Sequence, residues 1–598
     1  MNRSNLLPRT LILALSLVPA WACAAAGSAA AASSGPSEPR TIAEQSGFKR
    51  TGRYDEVERL CHAYAKHWPA RVRCLEFGRT PEQRPLLALV ASDDGVLDPA
   101  TARARQRPVV LFQGGIHAGE IDGKDAGFLA LRELLEGRAS RGALARTTVV
   151  FVPVFNVDGH ERFGAWNRPN QRGPEEMGWR ATAQNLNLNR DYMKVEAPEM
   201  RAMMGLLREW DPILLADLHV TDGAELREDI SVEIEPGHGF DLEFGRIGHA
   251  VRDAVIARLL HAGFHALPFY PEFVVADEPE SGVAAEVRSP RFSNSYWATR
   301  NRFGALVETH SWQDYPRRVA ATRETILALV DLAARDGSQW LAEARAADAR
   351  AAGLAGKPVA LSFTNSDAMH TVGLRGYEFT REPSTVSGKP WVRYDTRKPT
   401  VWQVPLRYEV VPDLTISAPA SGYIVPAAHA AWVADKLTLH GIEFHRIDAA
   451  ETASPVQTFR ATRATTTAGT FEARPTMTFE GTWRDEPRDI GAGALFVPIA
   501  QPKARLVMSL LEPQAPDSFA AWGFFAAAFE RKEYMEGYVV EAVARAMLEA
   551  EPTLRAEFDQ RLREDAAFAA SPEARLEFFH RRHPSWDERY NLYPVYRR

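Results

Sequence analysis

Cysteine is scarce in this chain: three residues in 598. Cys61 and Cys74 accompany no histidine cluster at metal-ligand spacing, so a thiolate metal site is excluded. The pair leaves two readings open, one disulfide or two buried thiols. Positive charge is also in short supply. The formal net charge is −6, with no basic tract and no strongly cationic helix, which argues against a nucleic-acid binder and against a membrane-surface role. Beyond the first residues no apolar run approaches the length needed to cross a bilayer, so no transmembrane segment is expected in the mature chain. Internal repeats and heptad runs are missing too, which removes solenoids and coiled coils.

What is present begins with an export signal. Arg3 and Arg9 precede the apolar run from Leu11 to Ala20, and an alanine-rich stretch with several Ala-x-Ala cleavage options extends to Ala32. This pattern predicts a signal peptide over residues 1–32 and a periplasmic or secreted protein. Cys23 lies in Ala20-Trp21-Ala22-Cys23, a poor match to a lipoprotein box because the leading leucine is absent. A lipid anchor there is the less favoured alternative. Residues 33–44, rich in Ser, Gly and Pro at their start, are expected to be a disordered linker.

The remaining chain, at 45% hydrophobic and 25% charged, has the composition of a globular protein with a sizeable core. Its length predicts more than one domain. From residue 54 to about 347, apolar β-branched runs alternate with segments of helical periodicity. Strands are expected at 72–90 (two around a turn, at a sheet edge), from Val109, over 147–156, at 213–219 and at 304–308. Helices are expected at 54–67, from Lys124 to Leu135, at 198–210 and 242–260, and from Pro316 to about Ala347. This alternation predicts an α/β domain with a mixed, mostly parallel sheet flanked by helices.

The organising stretch runs from Val109 to Glu120. A buried strand opens through Gly114-Gly115 into a turn bearing His117 and Glu120, at the strand end where open α/β sheets place their sites. The strand at 213–219 ends on His219, and that at 304–308 ends on Glu308. Each residue taken singly is explained by a salt bridge or a cap. Together, two imidazoles and two carboxylates at strand C-termini fit one zinc ion per chain. Two His and one Glu would hold it, with a second Glu as general base.

In residues 45–345 the chain resembles the zinc carboxypeptidases of the carboxypeptidase A type. His117-Ala118-Gly119-Glu120 resembles the family's first two zinc ligands, and Asn156-Val157-Asp158-Gly159 its Asn-Pro-Asp-Gly turn. Trp179-Arg180 is similar to its Trp-Arg pair, Asn187-Leu188-Asn189-Arg190-Asp191-Tyr192 to its Asp-x-Asn-Arg-Asn-Phe segment, Asp217-Leu218-His219 to its third ligand, and Leu306-Val307-Glu308-Thr309 to its catalytic glutamate. The resemblance implies His117, Glu120 and His219 as zinc ligands and Glu308 as the base. It implies Arg180 at the developing oxyanion, and Asn189 with Arg190 as the grip on a peptide's terminal carboxylate. The implied activity is an exported metallocarboxypeptidase acting on peptides, over a catalytic domain at 45–350.

Two features depart from the family. Asn187 replaces the aspartate that orients the first zinc histidine, and the mobile tyrosine has no clear counterpart, with Tyr270 and Tyr296 as candidates. His310, two residues past Glu308, shares its face of the extended chain and stays outside the catalytic set. A peptidoglycan-peptide hydrolase or another amide deacylase on the same site is the alternative enzyme reading, and a non-catalytic binding protein is the least favoured. Residues 355–500 are expected to be a β-rich accessory region and 501–598 a helical one, an α+β addition with no ordered catalytic set. The oligomeric state is not legible.

Overall fold

The apolar runs at 109–114, 148–152, 214–221 and 303–310 lie side by side at the centre of one sheet. In this computed structural model, which describes residues 39–598, the strands are β1 (Val72–Arg79), β2 (Pro85–Ala91), β3 (Val109–Gly114), β4 (Thr148–Val152), β5 (Leu214–Thr221), β6 (Ile230–Glu235), β7 (Ala266–Leu267), the short β8 (Val283–Ala284) and β9 (Phe303–His310). Eight of them form a sheet in the order β1-β2-β4-β3-β5-β9-β6-β7. The pairs β3–β4, β3–β5 and β5–β9 are parallel, whereas β1–β2, β2–β4 and β6–β9 are antiparallel. The expected mixed α/β architecture is therefore observed. β1 is an edge strand, and β2 lies one place inside.

Both faces of the central strands are covered, which is why their sequences read as continuous apolar runs instead of alternating ones. Side chains of successive residues point to opposite faces. Val110, Phe112, Leu214 and Ala216 join one core with the helices Tyr54–His67, Asp122–Glu136, Leu242–His261 and Tyr315–Ala352. Val109, Leu111 and Leu215 join a second core with Met200, Met203 and Met204 of the helix Pro198–Trp210. Phe128, Leu131, Leu134 and Leu135, the apolar stripe of the helix after β3, all lie in the first core.

Four expected boundaries move. β4 stops at Val152 instead of Asn156, because the chain turns at Pro153. Residues 155 and 156 leave the ladder yet still donate to Gly114 and Gly115 carbonyls (2.9 and 3.0 Å). β5 and β9 run two residues past His219 and Glu308, since Val220 and Thr221 continue the ladder opposite Thr309 and His310. The linker expected over 33–44 is replaced at its end by a short helix, Ile42–Gln45, held by a capping box between Thr41 and Glu44. Residues 1–38, with the expected signal peptide and Cys23, lie outside the described residues. Cys61 and Cys74 form a disulfide, which ties the helix Tyr54–His67 to β1.

The C-terminal portion is built from β10 (Pro358–Asn365), β11 (His370–Pro383), β12 (Pro390–Arg407), β13 (Val410–Ser417), β14 (Gly422–Val425), β15 (His445–Arg446), β16 (Glu451–Phe471), β17 (Arg474–Ile490), β18 (Leu495–Pro498) and β19 (Tyr596–Arg597). Residues 462–481, rich in threonine, fall inside the long hairpin β16–β17. Helices dominate after residue 504, and β19 returns the chain to pair with β14. Val425, Leu437, Val497 and Leu506 enter the second core beside Val109 and Leu111. The C-terminal portion is thereby welded to one face of the central sheet. Among the described residues, no helix is long and apolar enough to cross a membrane.

Candidate functional site

The turn after β3 is built for close approach. Gly115 has φ +60°, a left-handed conformation that side chains disfavour. A Cβ on Gly119 would stand 2.6 Å from both Arg168 Cγ and the Gly178 carbonyl, so only glycine lets those groups press against the loop. Between these glycines the loop carries His117, and Glu120 follows, both buried. β5 brings His219, and its ladder partner in register on β9 is Glu308.

The four groups meet. Glu120 bridges both imidazoles, with Oε1 2.9 Å from His117 Nδ1 and Oε2 2.9 Å from His219 Nδ1. The outward nitrogens are held elsewhere. His117 Nε2 lies 3.1 Å from Asn187 Oδ1, and His219 Nε2 lies 2.9 Å from Asp217 Oδ2. Two imidazoles thus present the same nitrogen inward while an acceptor fixes each ring from behind, the arrangement that orients histidine metal ligands. Among the described residues, His117, Glu120 and His219 are the group whose ligand atoms converge, all within 4.8 Å of one another. One nitrogen from each of two histidines plus a carboxylate oxygen matches the donor set of catalytic zinc. The Asn187 amide oxygen serves as the acceptor behind His117.

Charge in the site follows from burial and neighbours. Burial lowers His117 to about 4 against the pull of Glu120, so this ring is neutral and free to donate a lone pair. Burial would raise Glu120, but its pairing with His117, the Arg168 charge and the hydrogen bonds from His117 and His219 outweigh it and hold the carboxylate well below its usual range. His219 is raised, because Asp217 and Glu308 overcome the burial that would lower it. A cation in the site would displace that proton. Burial, reinforced by Glu120, raises Glu308 to about 8 despite His219. Glu308 Oε2 is buried and has no hydrogen-bond partner.

The arginines stand around this centre. Asn156 caps the short helix Val157–Glu161 through the Gly159 N–H (3.0 Å), and its amide donates to the Arg180 carbonyl (3.0 Å). The Asn-Val-Asp-Gly turn thereby fixes the backbone that presents Arg180, whose Nη1 lies 3.4 Å from Glu120. Asn187 Oδ1 accepts the Asn189 N–H (3.0 Å) and shapes the turn Leu188–Arg190. Asn189 is buried, with Nδ2 3.4 Å from His219 Nε2 and Oδ1 accepting from Ser293 N. Arg190 donates to the Asn189 carbonyl (2.8 Å) and lies over the Phe292 ring. The cavity enclosed is small, about 170 Å³.

Several residues were not singled out from sequence. Arg168 packs against the centre, with Nη1 3.2 Å from Glu120 and Nη2 on Asp222 and the Val220 carbonyl. Arg288 also lines the cavity. Both come from irregular loops without periodicity or motif, so spacing carries no signal for them. Asp217, seen only as part of a motif, is satisfied by His219, Gln113 and Ser293. Of the tyrosine candidates, Tyr270 lines the cavity and bonds Thr221. Tyr296 is buried against His440 and Arg300. His310 donates to the Ala224 carbonyl (2.7 Å), and burial lowers it to about 4. It packs.

Residues 57–224 match the family model described as zinc carboxypeptidase, a stretch that includes His117, Glu120, Arg180, Asn189, Arg190 and His219 and ends before Glu308. No curated protein matches the chain. Similar solved structures include a carboxypeptidase A from Helicoverpa armigera (18% identity, 51% of this chain and 75% of that one, TM-score 0.36). A putative carboxypeptidase A from Shewanella denitrificans gives 17% identity over 47% and 68%, with TM-score 0.35. A metallo-carboxypeptidase from Pseudomonas aeruginosa gives 14% over 48% and 69%, with TM-score 0.35. At such scores these likenesses carry no further argument.

Proposed function

We propose that this zinc metallopeptidase is an exopeptidase that releases C-terminal residues from peptides, with His117, Glu120 and His219 as its zinc ligands. The observation that carries the reading is the orphaned Glu308 Oε2, a buried carboxylate oxygen on the strand next to His219. Leaving such a group unpartnered is costly unless function uses it. Zinc held by His117, Glu120 and His219 would supply Lewis-acid polarisation of the scissile carbonyl and acidify the attacking water. Glu308 takes the proton from that water and delivers it to the departing amine nitrogen. Arg180, the most exposed of the cationic groups near Glu120, offers its guanidinium to the developing oxyanion. Arg190 presents a planar fork free of any carboxylate partner among the described residues, suited to bidentate capture of a chain-terminal carboxylate. The Asn189 carbonyl accepts from Arg190 Nη1 (2.8 Å) and holds that fork in place.

Export belongs to this proposal. A disulfide persists in oxidising compartments, and Cys61–Cys74 is one. Together with the signal-like N-terminus it supports a periplasmic or secreted enzyme.

The test pairs metal analysis with matched substrates. Wild type should carry about one zinc per chain, lost in both His117→Ala and His219→Ala. It should prefer a peptide with a free C-terminus over its amidated twin, and Arg190→Ala should erase most of that preference. Equal cleavage of both twins by wild type would sink the exopeptidase reading and favour an amide deacylase on the same centre.

A further inference from the structure

The cavity has more positive charge than it can neutralise. Four guanidiniums line it, from Arg168, Arg180, Arg190 and Arg288. Arg168 is matched by Glu120 and Asp222. Arg180 leans on the same Glu120. The other two have no carboxylate partner within the cavity lining: Arg190 pairs with none among the described residues, and Arg288 meets Glu286 outside it.

Arg190 has no ion-pair partner among the described residues. Burial foremost, and then the nearby Arg180, Arg291 and Arg288 charges, lower it to about 10, the mark of a cation crowded by its own kind. Arg288 is more unusual. Its side chain is 14% exposed, and its nearest carboxylate, on the largely exposed Glu286, is 3.6 Å from Nη1. Nε and Nη2 are buried with no hydrogen-bond partner. Glu233 is the other acid in its field, but that carboxylate already accepts from Tyr270 N (3.1 Å). Burial would lower Arg288, but Glu233 and then Glu286 outweigh it and keep the guanidinium charged, although neither gives Nε or Nη2 a hydrogen-bond partner. Glu308 is committed to proton transfer in the reading above. Two donors of a guanidinium that lines the cavity are therefore buried without a partner, a costly state that a ligand oxygen reaching them would relieve.

Arg190 and Arg288 also share a wall. The Arg190 guanidinium lies 4.1 Å, and that of Arg288 5.6 Å, from the centre of the Phe292 ring, and Arg288 lies 4.7 Å from the centre of the Tyr270 ring. Both cations stand against one aromatic side chain in a cavity of about 170 Å³. A ligand that satisfies both carries two anionic groups on one small residue.

We infer that Arg288 makes this site selective for a C-terminal residue with a carboxylate side chain, glutamate or aspartate. The α-carboxylate pairs with Arg190 and the side-chain carboxylate with the Arg288 guanidinium. This rests on the carboxypeptidase reading above and names its substrate class. A site built to pair a polar group discriminates strongly against analogues that lack it, because its own donors are then left buried and bare.

The experiment uses four N-acylated dipeptides identical except for the last residue, Glu, Gln, Leu or Lys. They are assayed by mass spectrometry with zinc-loaded wild type, Arg288→Gln and Arg288→Glu. Wild type should favour Glu over its isostere Gln by about 10–100-fold in kcat/KM, the range expected for a charge-assisted pair. In Arg288→Gln the Glu/Gln ratio should collapse to within about threefold, and Arg288→Glu should move the preference toward Lys. The wild-type ratio needs no variant to fold. Wild type cutting Gln as readily as Glu, or Arg288→Gln lowering all four substrates by one factor, overturns the inference. Release from none of the four overturns the carboxypeptidase reading, and this inference with it.

Discussion

Glu308 shows what one residue does when its neighbours are fixed. Its strand places it beside His219, its Oε2 lacks a partner, and burial pushes its pKa to about 8. Glu308→Gln keeps the shape and removes the proton-accepting oxygen, so zinc content and melting temperature should hold while kcat falls by ~10²–10⁴. A variant with near-normal kcat would place the base elsewhere. His117, Glu120, His219 and Glu308 were legible in the sequence for a physical reason. Near the C-terminal ends of buried strands, a polar residue stands out against an apolar run. Arg168 and Arg288 were not, because they arrive from loops, where charged residues are the norm and only the fold decides which of them turn inward.

At the scale of elements, the helix Pro198–Trp210 carries a cost that can be measured. Glu199 sits in its first turn, where the helix dipole favours a carboxylate. It is nevertheless buried, with both oxygens unpartnered. Burial, with the Asp158 and Asp191 charges adding to it, raises Glu199 from 4.5 to about 7. A folded-state pKa above the unfolded value means that ionisation opposes folding. The penalty is absent below about pH 4.5, grows through the interval and is complete above about pH 7. Glu199→Gln should therefore raise the melting temperature most near pH 8, with the gain fading toward pH 4.5. An equal gain at both pH values would show that packing, not charge, is responsible. The helix was legible to the residue, since its apolar stripe repeats at helical spacing and Pro198 starts it. The ends of β4, β5 and β9 were not. Pro153 ends β4 early, and β5 and β9 lengthen each other through a ladder that periodicity cannot see.

At the scale of the whole molecule, the C-terminal portion reaches the site. No catalytic pattern marks it in the sequence, and the sparse apolar periodicity of β16 and β17 gave no hint of where the hairpin tip would land. In the fold, Glu472 at that tip accepts the Asn187 N–H (2.8 Å). Arg474 pairs with Glu196, and Phe471 stacks on Trp522, with Arg291 packed against both rings. Asn187 in turn orients His117 and shapes the turn that carries Arg190. The hairpin thus clamps the segment that joins the metal centre to the carboxylate grip. A single charge-assisted hydrogen bond to a backbone N–H contributes about 1.5–3 kcal/mol at most and less where partly exposed. Glu472→Ala should accordingly lower kcat/KM for free-acid peptides by about 3–10-fold, chiefly through KM, with zinc content unchanged. Glu472 itself lies in neither main core, so the melting temperature should move little. A fall in kcat/KM matched by an equal fall for amidated peptides would mean that the clamp acts on His117 and not on Arg190. No change at all would reduce the hairpin tip to packing.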